Sequence, residues 1–308
     1  MALTSQQVEQ FETEGYLIAE DFLTEEDLLP VIDELNDWVD HRARTLFAEG
    51  KITDLCESQP FETRIAQLFA QYKEFQNNLD LEFRGPGMFE FLHNERILDA
   101  VECLIGAEIT CHPIHLVRAK CPAKLIAEPG LGDYSYQTVT WHQDAIVFLE
   151  EADPTPFITC WFPLVDATVE NGCMKVLPKV ASRGLLQHYW EKDTDGNPDV
   201  HFDTDPFPDL KPVDLPCRKG GAVFLSKYAP HSASPNQTNG VRWSVDLRYQ
   251  PSGMPTGVPY FPEFVARSNA EPQSVFTDYA GWVRMWDEAT RAIEGKEFRR
   301  IHDKVQAR

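Results

Sequence analysis

The sequence predicts an α+β fold, a mainly β sandwich or barrel flanked by helices. Three observations predict it. Amphipathic helical patterns fill about the first 106 residues. Short β-branched and aromatic runs, broken by Pro, Gly and Asn, fill about 107–250. One further helical pattern follows near the end. The chain has 308 residues, 43% of them hydrophobic, which suffices for a sizeable core. No internal repeat or linker divides it. A single domain over 1–308 is therefore expected, with a helical support over about 1–106, a β core over about 107–250 and a helical segment over about 251–308.

In chain order, Thr4 and Gln7 form a capping-box pattern before Val8 and Phe11, a short helix leading into the strand Tyr16-Leu17-Ile18-Ala19. Thr24-Glu25-Glu26-Asp27 caps a second helix. Its Leu28, Leu29, Val31, Ile32, Leu35 and Trp38 recur at helical spacing as far as the Phe47 region. Residues 57–80 read as a third helix with Ile65, Leu68, Phe69 and Tyr72 on one face. After the break at Arg84-Gly85-Pro86-Gly87, 89–105 reads as a fourth. Strands are expected within 108–119, 134–149, 157–164, 173–177, 222–228 and 241–250. Residues 183–216 lack periodicity and read as an irregular lid or binding loop. A last helix is expected over 280–292, with Trp282, Met285 and Trp286 on one face. Tyr134, Tyr136, Phe148, Tyr189, Trp190, Trp282 and Trp286 are candidates for an aromatic mouth.

The net charge is −21 and the pI about 4.8, with no Lys/Arg cluster, which argues against a nucleic-acid or anionic-membrane partner. No apolar run approaches the roughly 18 residues of a membrane-spanning helix, and the N-terminus lacks a signal-peptide pattern. The seven cysteines are scattered without a C-x-x-C, as expected of reduced cytoplasmic thiols. Cys111-His112-Pro113-Ile114-His115 reads as a strand rather than a zinc half-site. A monomer or homodimer acting on a small molecule is expected.

The chemistry centres on Trp141-His142-Gln143-Asp144. The preceding segment, 134–140, reads as a strand, on which residues i and i+2 share a face. His142 and Asp144 then project together, with Thr140 beside them, and Gln143 projects away. One imidazole and one carboxylate supply two ligands for a divalent metal. A second histidine completes the 2-His-1-carboxylate triad that holds non-haem Fe(II) with positions left open. His231 is the candidate, following the strand at 222–228. The next strand alternates cleanly: Val241, Trp243, Val245, Leu247 and Tyr249 on one face, and Arg242, Ser244, Asp246 and Arg248 on the other. Such a polar face turns to water or lines a cavity. A 2-oxoacid chelating the metal needs a fixed cationic fork for its distal carboxylate. Arg242 supplies one, with the Ser244 hydroxyl beside it.

These residues resemble those of the phytanoyl-CoA dioxygenase family of Fe(II)/2-oxoglutarate oxygenases. The resemblance runs from Gly15-Tyr16-Leu17 through Arg118-Ala119-Lys120-Cys121-Pro122, the His-Gln-Asp motif and Glu170-Asn171-Gly172-Cys173 to Arg242, 11 residues after His231. It implies a double-stranded β-helix of the jelly-roll or cupin type. It implies His142, Asp144 and His231 as iron ligands, Arg242 as the 2-oxoglutarate anchor, and Gln143, Trp161 and Ser244 lining the co-substrate pocket. Thr140 is added to that pocket from strand geometry alone. The implied activity is hydroxylation or desaturation of a small organic molecule with Fe(II), 2-oxoglutarate and O2. The chain departs from the family pattern at Lys179-Val180-Ala181, where Gly-Ser-His is usual, and at Ala233, where Ser is common. Two other classes remain open: a cupin-like metal enzyme that uses no 2-oxoacid, and a non-catalytic small-molecule binding barrel. Arg242 discriminates against the first and the intact triad against the second.

Overall fold

The computed structural model describes residues 2–76, 79, 83–125, 139–192, 198–202, 207, 209–294 and 305–307. Helix α1 (Ser5–Glu14) starts at the expected capping box, in which Thr4 and Gln7 satisfy each other's backbone N–H. It stops at Gly15, whose φ of +84° suits a residue without Cβ, and strand β1 (Tyr16–Ala19) follows. Helix α2 (Glu25–Ala48) is capped in the same way by Thr24 and Asp27 and buries Leu28, Val31, Leu35 and Val39. Helix α3 (Phe61–Gln71) is shorter than the 57–80 span read from sequence.

The helix expected over 89–105 is two helices, α4 (Pro86–Leu92) and α5 (Glu95–Ile105). Asn94 divides them. Its side chain accepts hydrogen bonds from Arg96 N at 3.0 Å and Ile97 N at 3.3 Å, so it starts a new helix rather than continuing the old one.

The strands that follow are β2 (Ile109–Cys111), β3 (Leu116–Lys120), β4 (Val139–His142), β5 (Ile158–Pro163), β6 (Met174–Val176), β7 (His188–Lys192) and β8 (Pro198–Phe202). Next come β9 (Val213–Leu215), β10 (Ala222–Ser226), β11 (His231–Ala233), β12 (Arg242–Pro251) and β13 (Phe264–Arg267), then helix α6 (Tyr279–Ile293) and β14 (Val305–Ala307). The architecture is mixed α/β with mostly antiparallel sheets. The seven-stranded sheet runs β1-β10-β5-β12-β2-β13, with β3 also on β12. A four-stranded sheet runs β4-β11-β6-β9, and a three-stranded one β14-β7-β8.

The large sheet is buried on both faces. Trp243, Val245, Leu247 and Tyr249 of β12, with Cys160 and Phe162 of β5 and Phe224 of β10, join α2, α4 and α5 in the main core. The alternate residues of the same strands, Arg242, Asp246, Arg248, Thr159, Trp161 and Leu225, face a cavity. The alternation read in β12 therefore marks a polar cavity wall rather than a solvent face.

Two further expectations change. Residues 183–216 contain β7, β8 and β9, because His188 turns into the core against Phe202 and pins the β7–β8 pair; 193–197, 203–206 and 208 lie outside the described residues. Of the aromatic-mouth candidates, Trp282 and Trp286 pack on Phe89 and His115, and Phe148 stacks on Phe157, so all three are core. Tyr134 and Tyr136 lie outside the described residues, as does most of the strand expected over 134–140. Among the described residues, no helix is long and apolar enough to cross a membrane.

Candidate metal centre

His142 closes β4 and His231 opens β11, and the two are direct partners in the antiparallel register. Their rings lie 4.2 Å apart. Each ring is oriented by the same local device. His142 Nδ1 meets the Thr140 carbonyl at 2.9 Å, and His231 Nδ1 meets the Ala229 carbonyl at 3.0 Å. A carbonyl only accepts, so each Nδ1 carries a proton and each Nε2 is the nitrogen turned to the cavity. Both Nε2 atoms converge on Asp144 Oδ1, at 3.7 Å from His142 and 3.9 Å from His231.

Asp144 does not sit on the same strand as His142. β4 ends at His142, and Asp144 begins a 3-10 turn, Asp144–Val147. The turn still brings the carboxylate to the imidazoles. One ligand atom from each of the three residues lies within 4.8 Å of the others, a spacing that suits a single ion bound at about 2 Å. Burial alone would raise the Asp144 carboxyl. The Arg248 guanidinium beside it outweighs burial and holds it well below the usual carboxylate range. Burial, reinforced by His142, pushes His231 down to about 4, so it is neutral and able to ligate at neutral pH. Two imidazoles and an ionised carboxylate on one concave wall form the 2-His-1-carboxylate donor set that suits Fe(II), and the residues present fit it.

The cavity encloses about 460 Å³ of space open to solvent and lies between the two larger sheets. β4, β6 and β11 supply His142, Met174 and His231. β3, β5, β10 and β12 supply Arg118, Thr159, Trp161, Leu225, Arg242, Asp246 and Arg248. Arg242 is 2% exposed. Its Nη1 donates to Ser244 Oγ at 2.8 Å, its guanidinium lies 5.2 Å over the Trp161 ring, and its Nε is buried without a partner. Asp246, the nearest carboxylate on its own strand, pairs with Arg118 at 3.0 Å. Arg242 thus has no carboxylate of its own among the described residues. Burial lowers its pKa to about 10, which leaves it charged. Lys120, its cross-strand neighbour, is pushed to about 6 by burial and then by Arg242, and its amine donates to the Ser234 carbonyl at 2.6 Å. Among the described cations lining the cavity, Arg118 and Arg248 pair with Asp246 and Asp144, and Arg242 is without a carboxylate.

The other sequence-derived residues take different places. Trp161 lines the cavity. Ser244 is fully buried and reaches it only through Arg242. Thr140 turns its hydroxyl to the Val200 carbonyl at 2.8 Å, tying β4 to β8. Gln143 points away from the cavity. Its amide donates to the Gly184 and Tyr228 carbonyls and accepts from Leu186 N, and its backbone N–H reaches His188 Nε2. Thr140 and Gln143 are braces on either side of His142. Sequence reasoning assigned no role to Thr159 or to the contact of Arg248 with Asp144. Arg248 was visible as a second arginine on the Arg242 face, but nothing in sequence signalled Thr159. Near Gly172, at φ +81°, a Cβ would stand 2.2 Å from Ser234 O, so the Glu-Asn-Gly-Cys turn needs glycine to pack beside β11.

A family model described as phytanoyl-CoA dioxygenase matches residues 11–244. Among curated relatives, the chain is similar to a methylphosphonate hydroxylase of Gimesia maris, 29% identical over 248 residues covering 80% of each chain. It is also similar to the peroxisomal phytanoyl-CoA dioxygenase of Homo sapiens, 23% identical over 249 residues covering 80% of this chain and 68% of that one. Among solved structures, it is similar to the non-haem monooxygenase ThoJ, with a TM-score of 0.59 at 18% identity over 93% of this chain and 98% of that one. It is similar too to the epimerase SnoN in complex with Fe3+, alpha-ketoglutarate and nogalamycin RO, with a TM-score of 0.51 at 20% identity over 83% and 87% of the two chains. The two structural likenesses are ones of fold.

Proposed function

Because the chain belongs to the phytanoyl-CoA dioxygenase family, we propose that it is an Fe(II)- and 2-oxoglutarate-dependent oxygenase that hydroxylates, or desaturates, a small organic molecule. The convergence of His142 Nε2, His231 Nε2 and Asp144 Oδ1 on one point carries this reading. In this reading the three residues hold iron. Iron and 2-oxoglutarate together supply the activation of O2, with 2-oxoglutarate giving succinate and CO2. Arg242 binds the distal carboxylate, oriented by Ser244 on one side and by Trp161 beneath its guanidinium. Thr140 and Gln143 enter as braces of β4. The buried wall of β5 and β12 excludes water from the reacting centre.

The double-stranded β-helix belongs to this proposal, with β5, β10 and β12 facing β4, β6 and β11 across the cavity. So do a single functional unit over 1–308, a cytoplasmic setting consistent with the seven free cysteines, and a monomer or homodimer. The cupin-like alternative without a 2-oxoacid is disfavoured by Arg242, which such an enzyme would have no reason to bury without a carboxylate. The test is anaerobic loading with Fe(II) and 2-oxoglutarate. A weak visible charge-transfer band should appear, followed by succinate release with an accepted member of a panel of lipophilic acids, amino acids and terpenoid or alkaloid scaffolds. Folded protein that gives no band at saturating iron and 2-oxoglutarate refutes the proposal.

A further inference from the structure

Asp144 is gripped from two adjacent strands, and the grip treats its two oxygens differently. Thr159 on β5 and Arg248 on β12 are direct cross-strand partners. Their side chains therefore rise together from the same face of the large sheet. Both reach Asp144. Thr159 Oγ1 donates to Oδ2 at 2.5 Å, and Arg248 Nη2 lies 3.2 Å from both Oδ1 and Oδ2. The oxygen facing the two imidazoles is Oδ1. One oxygen is thus tied to the protein by a hydroxyl that fixes its direction, while the other faces the position a metal would take.

The arginine does not look built for stability. An arginine that meets a carboxylate for its own sake favours the two-nitrogen fork. Here one nitrogen serves both oxygens, and Nε and Nη1 are buried with no partner among the described residues. Unpaired buried donors disfavour the folded state, so their retention points to a site shaped for another purpose. Asp144, Thr159 and Arg248 are 3%, 4% and 6% exposed, so both contacts are largely shielded from bulk solvent.

We propose that Thr159 and Arg248 are positioning residues that hold Asp144 as a one-oxygen ligand, with Oδ1 turned to the metal and Oδ2 kept from it. This rests on the reading of His142, Asp144 and His231 as the ligand set. In a six-position site, a second carboxylate oxygen would occupy a place that a co-substrate needs. The hydroxyl of Thr159 blocks that rotation, and Arg248, bridging both oxygens through Nη2, balances the carboxylate's charge while Oδ1 keeps its approach to the imidazoles.

The experiment titrates the full chain with Mn(II) and with Co(II), for wild type, Thr159→Val, Thr159→Ser and Arg248→Lys. Calorimetry gives the affinity, the visible Co(II) spectrum reports the number and type of ligands, and chemical denaturation of the metal-free protein runs alongside. Thr159→Val keeps the shape and loses the donor. It should weaken metal binding roughly 10–100-fold and change the Co(II) spectrum, with metal-free stability unchanged. Thr159→Ser should restore both. Arg248→Lys should weaken binding without restoring a wild-type spectrum. Wild-type affinity and spectrum in both Thr159→Val and Arg248→Lys overturn the positioning role and leave the ligand set standing. So does a loss of affinity that merely tracks lost metal-free stability and that Thr159→Ser does not rescue. Failure of the wild type to bind either ion overturns the ligand set, and the positioning role with it.

Discussion

Replacing Arg242 by Ala or Met separates the anchor role from a structural one, because the first predicts lost 2-oxoglutarate affinity at little cost in stability and the second predicts the reverse. In the free protein Arg242 is buried, bonds among the described residues only the Ser244 hydroxyl and the Trp161 face, and leaves Nε without a partner there. Its removal should cost little stability, since a buried cation without a carboxylate is a net burden on folding. Binding of 2-oxoglutarate should suffer heavily. A carboxylate docked on this buried fork gains two charge-assisted hydrogen bonds, at about 1.5–3 kcal/mol each. Removing one partner of such a pair typically costs about 2–5 kcal/mol. Taking about 3–5 kcal/mol, the dissociation constant should rise on the order of 10²–10⁴-fold. The assay is anaerobic calorimetry of 2-oxoglutarate against Mn(II)-loaded protein, with Mn(II) affinity and urea stability measured on the same samples. Arg242→Lys should fall between, because it keeps the charge and loses the fork. Unchanged 2-oxoglutarate affinity together with lowered stability would refute the reasoning and make Arg242 a structural partner of Asp246.

Three further outcomes are expected. Asp144→Asn and Asp144→Gly should both abolish most succinate formation. Asp144→Gly should also lower metal-free stability by about 3–5 kcal/mol, because it strands Arg248 in a buried position; full activity of the Asn variant, measured by product mass, contradicts this, as does a chlorinated product from the wild type. Metal-free protein should lose stability as pH falls below about 6.5, because burial holds His112 at about 3 and His115 and His188 at about 4, below the ordinary histidine value. The unfolded chain then binds protons that the folded chain refuses. These three sites alone should contribute up to about 4 kcal/mol per pH unit between roughly pH 6 and 4.5, with His231, also held at about 4, adding in the same direction, measured by urea denaturation with chelator; a flat profile there would be contrary. Trp243→Ala should destabilise by about 3–5 kcal/mol, since the ring is fully buried, stacks on Phe61 at 5.0 Å and donates to the Phe61 carbonyl; a loss under about 1 kcal/mol in chemical denaturation would show that α3 is not tied to β12 through this residue.

Local rules made much of this molecule legible. Thr4 and Thr24 started the helices they were expected to start, because a capping box is satisfied within four residues. The alternation from Val241 to Tyr249 gave the two faces of β12, because strand period is a property of the backbone. Two errors had different sources, a local cap that the apolar spacing overrode and a contact distant in sequence. Asn94 broke a helix whose apolar spacing runs on unbroken. His188 ordered β7 and β8 by packing on Phe202, in a stretch whose polar composition suggests a loop. At the centre, His142, Asp144, His231 and Arg242 could be picked out because their chemistry demands those residue types. Thr159 could not, because a threonine in a β-branched strand looks the same whether or not its hydroxyl holds a carboxylate. Thr140 and Gln143 share the motif's neighbourhood, but their side chains are occupied by Val200 and by Gly184, Leu186 and Tyr228. Strand parity says which side a residue leaves from, not what is waiting there.

His142 and His231 face each other across one rung of the β4–β11 ladder. A slip of one residue in that pairing would send the two imidazoles to opposite sides of the sheet. An ion needing both can therefore be captured only by a chain whose distant segments have met in the native register. On the proposed ligand set, metal binding would select the native register and add its binding energy to the folded chain, so one rung of the ladder would couple cofactor loading to correct assembly.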